Sequence, residues 1–402
     1  MKSKIIAIGL FVLTAATVAY YPTVRGSVTQ VVQPPIQQGV VAVIPVAAPK
    51  IEVVFVLDTT GSMSGLIQAA KDKIWSIAST MASAQPAPEI SMGLVAYRDR
   101  GDAYVTRVVD LSTDLDSVYA TLMDFEAAGG GDTPESVNQA LTDAIHGISW
   151  SKDPNSYQVV FLVGDAPAHM DYPNDVKYLT TLAEATQRGI VVNTIRCGND
   201  AATEAQWQTI AAATQGAYFS VDQAGSAIAL ATPYDVELGR LSADLDDTRL
   251  YYGNEGLRAE KQAKIAATDR LHAFASAPVR ARRATFNISA SGEKNLFGDG
   301  DLIGGIASGD VKLDELEVAQ LPESLQKLTP MQRQEVVRAN GERRDELKAQ
   351  IRELSEQRAA YLAAEVESID DKEASLDHGI FEAVRDQAGK KGLKYSAAAP
   401  SY

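Results

Sequence analysis

The chain has 402 residues, of which 46% are hydrophobic, so it is long enough for two or three packed domains and is not a wholly disordered polypeptide. Its formal net charge of −15 argues against nucleic acid as a partner, because phosphate backbones attract basic surfaces. The single cysteine, Cys197, excludes an intramolecular disulfide, and its place at the end of an apolar segment predicts a buried side chain.

The N-terminus predicts export. Lys2 and Lys4 precede a segment, residues 5–21, that contains no charged side chain. This pattern is typical of a signal peptide and is also close to the shortest length that spans a membrane. We therefore expect residues 1–21 to be a cleaved signal peptide or a retained anchor, with the rest of the chain in the periplasm or at the cell surface. Prolines recur through residues 22–50, which predicts an extended linker.

Strand-like and helix-like segments then alternate over residues 51–221. Strands are predicted at short apolar segments rich in β-branched residues, at 51–57, 90–97, 104–109, 157–163, 190–195 and 217–221. Helices are predicted where apolar residues recur at helical spacing, at 62–84, 115–125, 134–148, 176–188 and 203–214. The alternation predicts an α/β fold, a doubly wound and mostly parallel sheet with helices on both faces.

Hard oxygen donors follow the predicted strands, at the edge of the sheet where ligands bind in such folds. Asp58 comes directly after the first strand, and Thr60 and Ser62 lie on the turn that follows. Asp165 follows the fourth strand, and Thr133 follows a run of three glycines. Carboxylate and hydroxyl oxygens suit Mg²⁺, Ca²⁺ or Mn²⁺ better than zinc. We therefore expect one hard divalent ion at this edge.

The three loops resemble the metal-ion-dependent adhesion site of the von Willebrand factor A family, whose pattern is Asp-x-Ser-x-Ser, then a Thr, then an Asp. Asp58, Thr60 and Ser62 match the first element, with a threonine where serine is more usual. Thr133 matches the second element and Asp165 the third. The resemblance implies that the three hydroxyl groups would contact the ion directly and that the two carboxylates would act mostly through water.

The resemblance covers residues 51–232 and implies a domain there. It extends to Tyr97–Asp102 and Gly164–His169, which are similar to stretches of bacterial and α-kinase-linked members. It implies a non-enzymatic binding protein, and residues 1–21 predict that this protein is exported. Because few anionic ligands would touch the ion directly, the ion would stay electrophilic and capture a carboxylate of a protein partner at an open coordination position.

Composition changes after residue 232. We expect residues 233–310 to form a mixed extension with one or two helices and a short strand at 284–289. Residues 311–402 are expected to be mainly helical. Apolar side chains at heptad-like spacing over 345–367 predict a helix that packs on a neighbouring helix or on a partner.

Two other functions stay open at this point. A metal-dependent hydrolase in the cell envelope would use the ion to activate water, with Asp132, Glu135 or His169 as the general base. The sequence arranges no nucleophile beside a base, so no catalytic residue is predicted, and His169 is expected to be a solvated loop residue. A cytoplasmic partner subunit of an ATPase is disfavoured by the export segment.

Overall fold

The computed structural model describes residues 48–131, 133–221, 231–367 and 376–395. The predicted signal or anchor at 1–21, nearly all of the predicted linker at 22–50 and the candidate base Asp132 lie outside these ranges. The described residues from Ala48 onward form one compact unit. No helix in this part of the chain is long and apolar enough to span a lipid bilayer.

A six-stranded sheet forms the centre of the described chain. Its strands are β1 (Lys50–Asp58), β2 (Glu89–Tyr97), β3 (Thr106–Ser112), β4 (Tyr157–Gly164), β5 (Ile190–Cys197) and β6 (Tyr218–Val221). They lie in the order β3-β2-β1-β4-β5-β6, and every neighbouring pair is parallel except β2 and β3. The predicted α/β fold with a mostly parallel sheet is confirmed. Cys197 is buried, as the sequence predicts.

Helices cover both faces of this sheet. Those that lie between its strands in the chain are α1 (Ile67–Ala82), α2 (Leu115–Met123), α3 (Val137–His146), α4 (Tyr178–Arg188) and α5 (Ala201–Ala213). Alternate side chains of β1 point to opposite faces. Val53 and Phe55 pack in the core beneath α1 and α2, whereas Val54 and Val56 pack beneath α3, α4 and α5. Because β1 is buried on both faces, its sequence is a continuous apolar segment.

Each predicted strand of residues 51–221 overlaps an observed one, but the predicted starts of two helices are wrong by three or more residues. The helix expected from residue 62 begins at Ile67, after a 3-10 turn at Gly61–Gly65. The helix expected from residue 134 begins at Val137. The N–H of Glu135 donates to the Pro167 carbonyl at 2.8 Å, and the Glu135 carbonyl accepts from the His169 N–H at 3.0 Å. These bonds form a parallel bridge to the loop after β4, so they tie residue 135 to that loop instead of to a first helical turn.

The residues after 232 are mostly helical. Their helices are α6 (Asp235–Asp246), α7 (Glu255–Phe274), α8 (Ala277–Asn287), α9 (Glu293–Phe297), α10 (Leu302–Ser308), α11 (Glu323–Gln326), α12 (Pro330–Glu367) and α13 (Leu376–Gly389). Leu347 and Ile351 of α12 share one apolar core with Leu238 and Leu241 of α6. The prediction that the apolar row over 345–367 packs on a neighbouring helix is therefore confirmed.

The predicted strand at 284–289 is wrong, because most of this segment belongs to α8. Pro278 lies in the first turn of that helix, a position that tolerates proline. Val279, Arg283 and Phe286 are all buried and lie on one side of the helix at spacings of four and three residues. The apolar pattern of the sequence does not show this helical period, because the charged Arg283 occupies one of the core positions.

The last helix, α13, packs on the same sheet face as α1. Ile380 and Val384 belong to the core on that face. The Tyr157 hydroxyl of β4 donates to Gln387 Oε1 at 2.7 Å, and Gln387 Nε2 donates to Asn193 Oδ1 of β5 at 2.8 Å. Buried polar groups are stable when they are hydrogen-bonded in this way. Helix α13 therefore completes the layer that covers strands far from it in the sequence.

Replacing Ile380 with alanine is expected to lower the free energy of unfolding by about 2–3 kcal/mol, because it leaves a cavity between α13 and the sheet. Chemical denaturation of the variant measures this loss. The matched control is Asp386→Ala on the exposed side of α13, which is expected to change stability by no more than about 0.5 kcal/mol. Equal losses in the two variants would contradict this role of α13.

Candidate metal centre

The first loop starts at the carboxyl end of β1, where Asp58 is fully buried. Its Oδ1 accepts hydrogen bonds from the Thr60 backbone N–H at 2.9 Å and the Thr60 hydroxyl at 2.6 Å. A short polar side chain that bonds to the backbone two residues later forms a tight turn. The chain therefore turns sharply after β1 and passes through a 3-10 turn, Gly61–Gly65, before α1.

Hydrogen bonds link this loop to the loop that follows β4. The hydroxyl oxygens of Thr60 and Ser62 are 3.1 Å apart, and the Ser62 hydroxyl donates to Asp165 Oδ1 at 2.9 Å. Strands β1 and β4 are adjacent, and the strand order reverses between them. The structure thus brings together four of the five predicted ligands, Asp58, Thr60, Ser62 and Asp165, at the position where doubly wound folds bind ligands.

The glycine-rich loop lies against the first loop. The Gly129 carbonyl accepts from the Gly61 N–H at 3.0 Å, and the Gly130 N–H donates to the Asp102 carboxylate at 3.0 Å. Gly129 and Gly130 have φ angles of 77° and 75°, which favour glycine, and a Cβ on Gly129 would collide with Asp102. Thr133 follows this loop and is exposed. No hydrogen bond among the described residues joins its hydroxyl to the other four predicted ligands.

The acidic side chains of the site have no basic partner among the described residues. Asp58 Oδ2 and Glu135 Oε2 are buried and have no hydrogen-bond partner among the described residues. Burial raises the pKa of Asp58 to about 7, and the nearby Asp165 charge adds to the rise against the hydrogen bonds from Thr60. Burial and then the Asp58 charge raise the pKa of Glu135 to about 9. Unpaired buried oxygens with destabilised negative charge fit a divalent cation.

The donors also decide which ion the residues fit. No group of three or more His, Cys, Asp or Glu side chains in the described ranges is arranged to hold an ion. A site here therefore depends on the Thr60 and Ser62 hydroxyl groups together with the carboxylates. Such hard oxygens fit Mg²⁺, Ca²⁺ or Mn²⁺.

Arg98 positions two of these loops, a role that the sequence does not predict. Its side chain is buried, its Nε donates to the Thr59 carbonyl at 3.0 Å and its Nη2 donates to the Glu126 carbonyl at 2.8 Å. The guanidinium also lies 4.5 Å from the centre of the Tyr104 ring. The only signal in the sequence was the resemblance over Tyr97–Asp102, because an arginine that bonds to backbone carbonyls has no sequence pattern of its own.

The prediction that His169 is a solvated loop residue is wrong. Its ring is 95% buried and stacks on Tyr172 with 3.9 Å between ring centres. Its Nδ1 lies 2.8 Å from Asp171 Oδ1 and its Nε2 lies 3.4 Å from Asp99 Oδ2. The loop is drawn inward because its backbone pairs with Glu135, which the sequence alone does not reveal.

Comparison with known proteins agrees with this fold. Residues 52–232 match the sequence model of a family described as the von Willebrand factor A domain. The alpha-protein kinase vwkA of Dictyostelium discoideum is 29% identical over 121 residues, which are 30% of this chain and 19% of the kinase. The chain therefore spans about a fifth of the length of that curated relative.

Similar solved structures each cover 44% of this chain at low identity. The conserved hypothetical protein BatB from Bacteroides thetaiotaomicron is 17% identical, with 93% of it covered and a TM-score of 0.35. The SpRpn10 VWA domain is 14% identical, with 89% of it covered and a TM-score of 0.35. Proximal thread matrix protein 1 from the mussel byssus, with a zinc occupied MIDAS motif, is 15% identical, with 43% of it covered and a TM-score of 0.35.

The family match spans the whole alternating part of the chain, from β1 through β6, and includes every loop of the candidate metal centre. The mostly parallel sheet with helices on both faces is the one that the sequence predicts. Residues 52–232 of this chain are a von Willebrand factor A domain.

Proposed function

We propose that this chain is a divalent-metal-dependent protein-binding module. Asp58, Thr60, Ser62, Thr133 and Asp165 hold one Mg²⁺, or Ca²⁺ or Mn²⁺ in its place. The observation that carries the proposal is the hydrogen-bonded set of two carboxylates and two hydroxyl groups at the β1–β4 edge, with Asp58 Oδ2 buried and unpaired among the described residues. A cation removes the cost of burying that charge.

The exposure of the ligands supports capture of a partner from outside. Ser62 and Thr133 are exposed, whereas Asp58 and Thr60 are buried beneath them. The ion when bound supplies a positive charge and an open coordination position toward solvent. A carboxylate on a protein partner fits that position, because the two aspartates only balance the charge of the ion and the hydroxyl ligands are neutral.

The geometry supports binding rather than catalysis. A metal-dependent hydrolase in the cell envelope needs a general base within reach of an external substrate. Glu135 is only 2% exposed, and the ring nitrogens of His169 face Asp99 and Asp171. The third candidate base, Asp132, lies outside the described residues. We therefore assign no catalytic residue and propose that the protein is not an enzyme.

We also propose that the protein acts in the periplasm or at the cell surface. The support is the sequence of residues 1–21, in which Lys2 and Lys4 precede an uncharged segment. The proline-containing residues 22–50 would separate the domain from the membrane if the anchor is retained. The net charge of −15 favours protein partners over nucleic acid. Cell fractionation tests this proposal, and a soluble cytoplasmic product would contradict it.

Calorimetric titration with Mg²⁺ tests the proposed site. The wild type is expected to bind one ion, and Asp58→Ala is expected to show no binding heat, because the variant loses the carboxylate that orients Thr60. The matched control is Asp153→Ala, which removes an exposed carboxylate just before β4, at the end opposite the site. Asp153→Ala should titrate like the wild type. A wild-type isotherm for Asp58→Ala would exclude this site.

A further inference from the structure

Glu135 is the most unusual charged group near the proposed ion, and the resemblance to the family assigns it no part in metal binding. Its side chain is 98% buried, and its Oε2 has no hydrogen-bond partner among the described residues. Burying a carboxylate without a partner is costly, so such a group in a folded protein requires an explanation.

The position of Glu135 relates it to the first metal loop. A Cβ built on Gly130 would lie 3.1 Å from Glu135 Oε1 and 3.2 Å from Thr60 Cβ, so both groups border the same point. The carboxylate charge that affects Glu135 most is that of Asp58, whose Oδ2 is likewise buried and unpaired within the described ranges. Glu135 therefore lies beside the loop that carries Thr60, and both Glu135 and Asp58 have a buried oxygen without a hydrogen-bond partner among the described residues.

The backbone fixes Glu135 in this position. Its N–H donates to Pro167 and its carbonyl accepts from His169, so residue 135 is held against the loop that also carries Asp165. The side chain of the following residue, Ser136, donates to Asp99 Oδ1 at 2.7 Å. The main chain at residue 135 is therefore held on both sides of the side chain.

We propose that Glu135 is a further acidic residue of the metal centre, which accepts a hydrogen bond from water bound to the ion and strengthens ion binding. This inference rests on the proposed function. The action is through water, because no three carboxylates among the described residues are grouped closely enough to share an ion directly. Residues that hydrogen-bond to the ligands of an ion, without contacting the ion, orient those ligands and change the affinity of the site for the ion.

The charge of Glu135 also affects how strongly the loaded site binds a partner carboxylate. Asp58 and Asp165 neutralise a divalent ion, and an ionised Glu135 makes the loaded site negative. The site therefore retains its ion in the absence of a partner. It also repels a partner carboxylate more than a site with two acidic residues would, so Glu135 favours ion retention over partner affinity.

The test compares Glu135→Gln with the wild type in two measurements. In calorimetric titration with Mg²⁺ and with Mn²⁺, we expect the dissociation constant to rise by roughly 10–100-fold. In thermal unfolding with chelator, we expect the variant to be at least as stable as the wild type, because glutamine is always neutral and avoids the cost of burying a carboxyl group that has no hydrogen-bond partner. A role in packing alone would lower stability in chelator and leave ion affinity unchanged, and that result would overturn the inference.

The matched control is Asp99→Asn, which also removes one buried negative charge near the site. Both Asp99 oxygens already accept hydrogen bonds, from Ser136 at 2.7 Å and from the Tyr172 hydroxyl at 2.6 Å. Asp99→Asn is therefore expected to lower the stability of the protein in chelator. It is expected to weaken ion binding less than Glu135→Gln does. Equal or greater weakening by Asp99→Asn would show that only the charge of the region matters, which overturns the inference.

Asp58→Ala separates the failure of this inference from the failure of the proposed function. If Asp58→Ala binds Mg²⁺ like the wild type, the proposed site itself is wrong, and the inference about Glu135 is overturned with it. If Asp58→Ala loses binding while Glu135→Gln titrates like the wild type, the site stands and only the role of Glu135 is overturned.

Discussion

Replacing Arg283 with alanine is expected to lower the free energy of unfolding by about 3–5 kcal/mol, because the variant leaves the buried Asp116 carboxylate without an ion-pair partner among the described residues and removes one partner from Asp246. The guanidinium is fully buried. It donates two hydrogen bonds to Asp116, at 2.7 and 2.6 Å, and two to Asp246, at 2.7 and 3.1 Å. Paired bonds of this kind are the strongest that side chains form.

These ion pairs connect the von Willebrand factor A domain to the region that follows it. Asp116 lies in α2 of the domain, whereas Asp246 and Arg283 lie in α6 and α8. Burial alone would raise the pKa of Asp116, but the Arg283 charge lowers it below its usual value, and the same holds for Asp246. We therefore expect the domain and the later helices to unfold together.

Denaturation monitored by circular dichroism measures the effect of Arg283→Ala. The matched control is Arg338→Ala, since Arg338 also pairs with two carboxylates, Glu335 and Glu342, but is exposed. Exposed ion pairs contribute only about 0–1 kcal/mol to the free energy of unfolding. Because both aspartates have lowered pKa values in the folded protein, their contribution is complete above the unfolded pKa and is lost as the pH falls. Equal effects of the two variants, or two separate unfolding transitions in the wild type, would contradict this coupling.

The chelated protein is expected to lose stability as the pH rises from about 5 to about 9, and Mg²⁺ is expected to prevent the loss. Asp58 has an unfolded pKa of 3.8 and a folded pKa of about 7, so the folded protein holds a proton that the unfolded chain has released. The raised pKa of Glu135 likewise makes the folded protein less stable as the pH rises. Between the unfolded and the folded pKa of Asp58, this group alone lowers the free energy of unfolding by up to about 4 kcal/mol.

Thermal unfolding at several pH values, with chelator and with saturating Mg²⁺, measures this dependence. The gain from Mg²⁺ should be larger at about pH 8 than at about pH 5, since protons compete with the ion. At an Mg²⁺ concentration 100 times the dissociation constant, ion binding adds roughly 3 kcal/mol to the free energy of unfolding. Asp58→Asn is the control, because it removes one of the two titrating carboxyl groups and should show a flatter, still falling, profile with no gain from Mg²⁺. A wild type whose stability in chelator rises over this range would contradict the account.

Local sequence predicts the sheet and most of the candidate site. Strands β1 and β4 are buried on both faces, so their apolar runs identify them without knowledge of their neighbours. Asp58 and Asp165 follow these two strands directly, and parallel strands end at the same edge, so the sequence predicts both carboxylates at that edge. The structure shows that the two strands are adjacent. The hydrogen bonds through Thr60 and Ser62 agree with that expectation.

The features that the sequence does not predict depend on contacts between distant segments. The sequence predicts Glu135 in a helix, whereas in the structure its backbone pairs with the loop after β4. Arg283 breaks the apolar period of α8 because its charge is neutralised by Asp116, which lies far away in the chain. Helix α13 covers the sheet through Gln387 and its apolar neighbours, and no local pattern specifies which surface a helix will cover.

The measurement that tests the central claim most directly is an anomalous difference map from crystals of the protein soaked in Mn²⁺. We expect one strong peak at the β1–β4 edge, within about 2.0–2.6 Å of the hydroxyl oxygens of Thr60, Ser62 and Thr133, with the carboxylates of Asp58 and Asp165 around it. A map with no peak at this edge, or with its strongest peak elsewhere on the molecule, would contradict the claim that these loops form a metal centre.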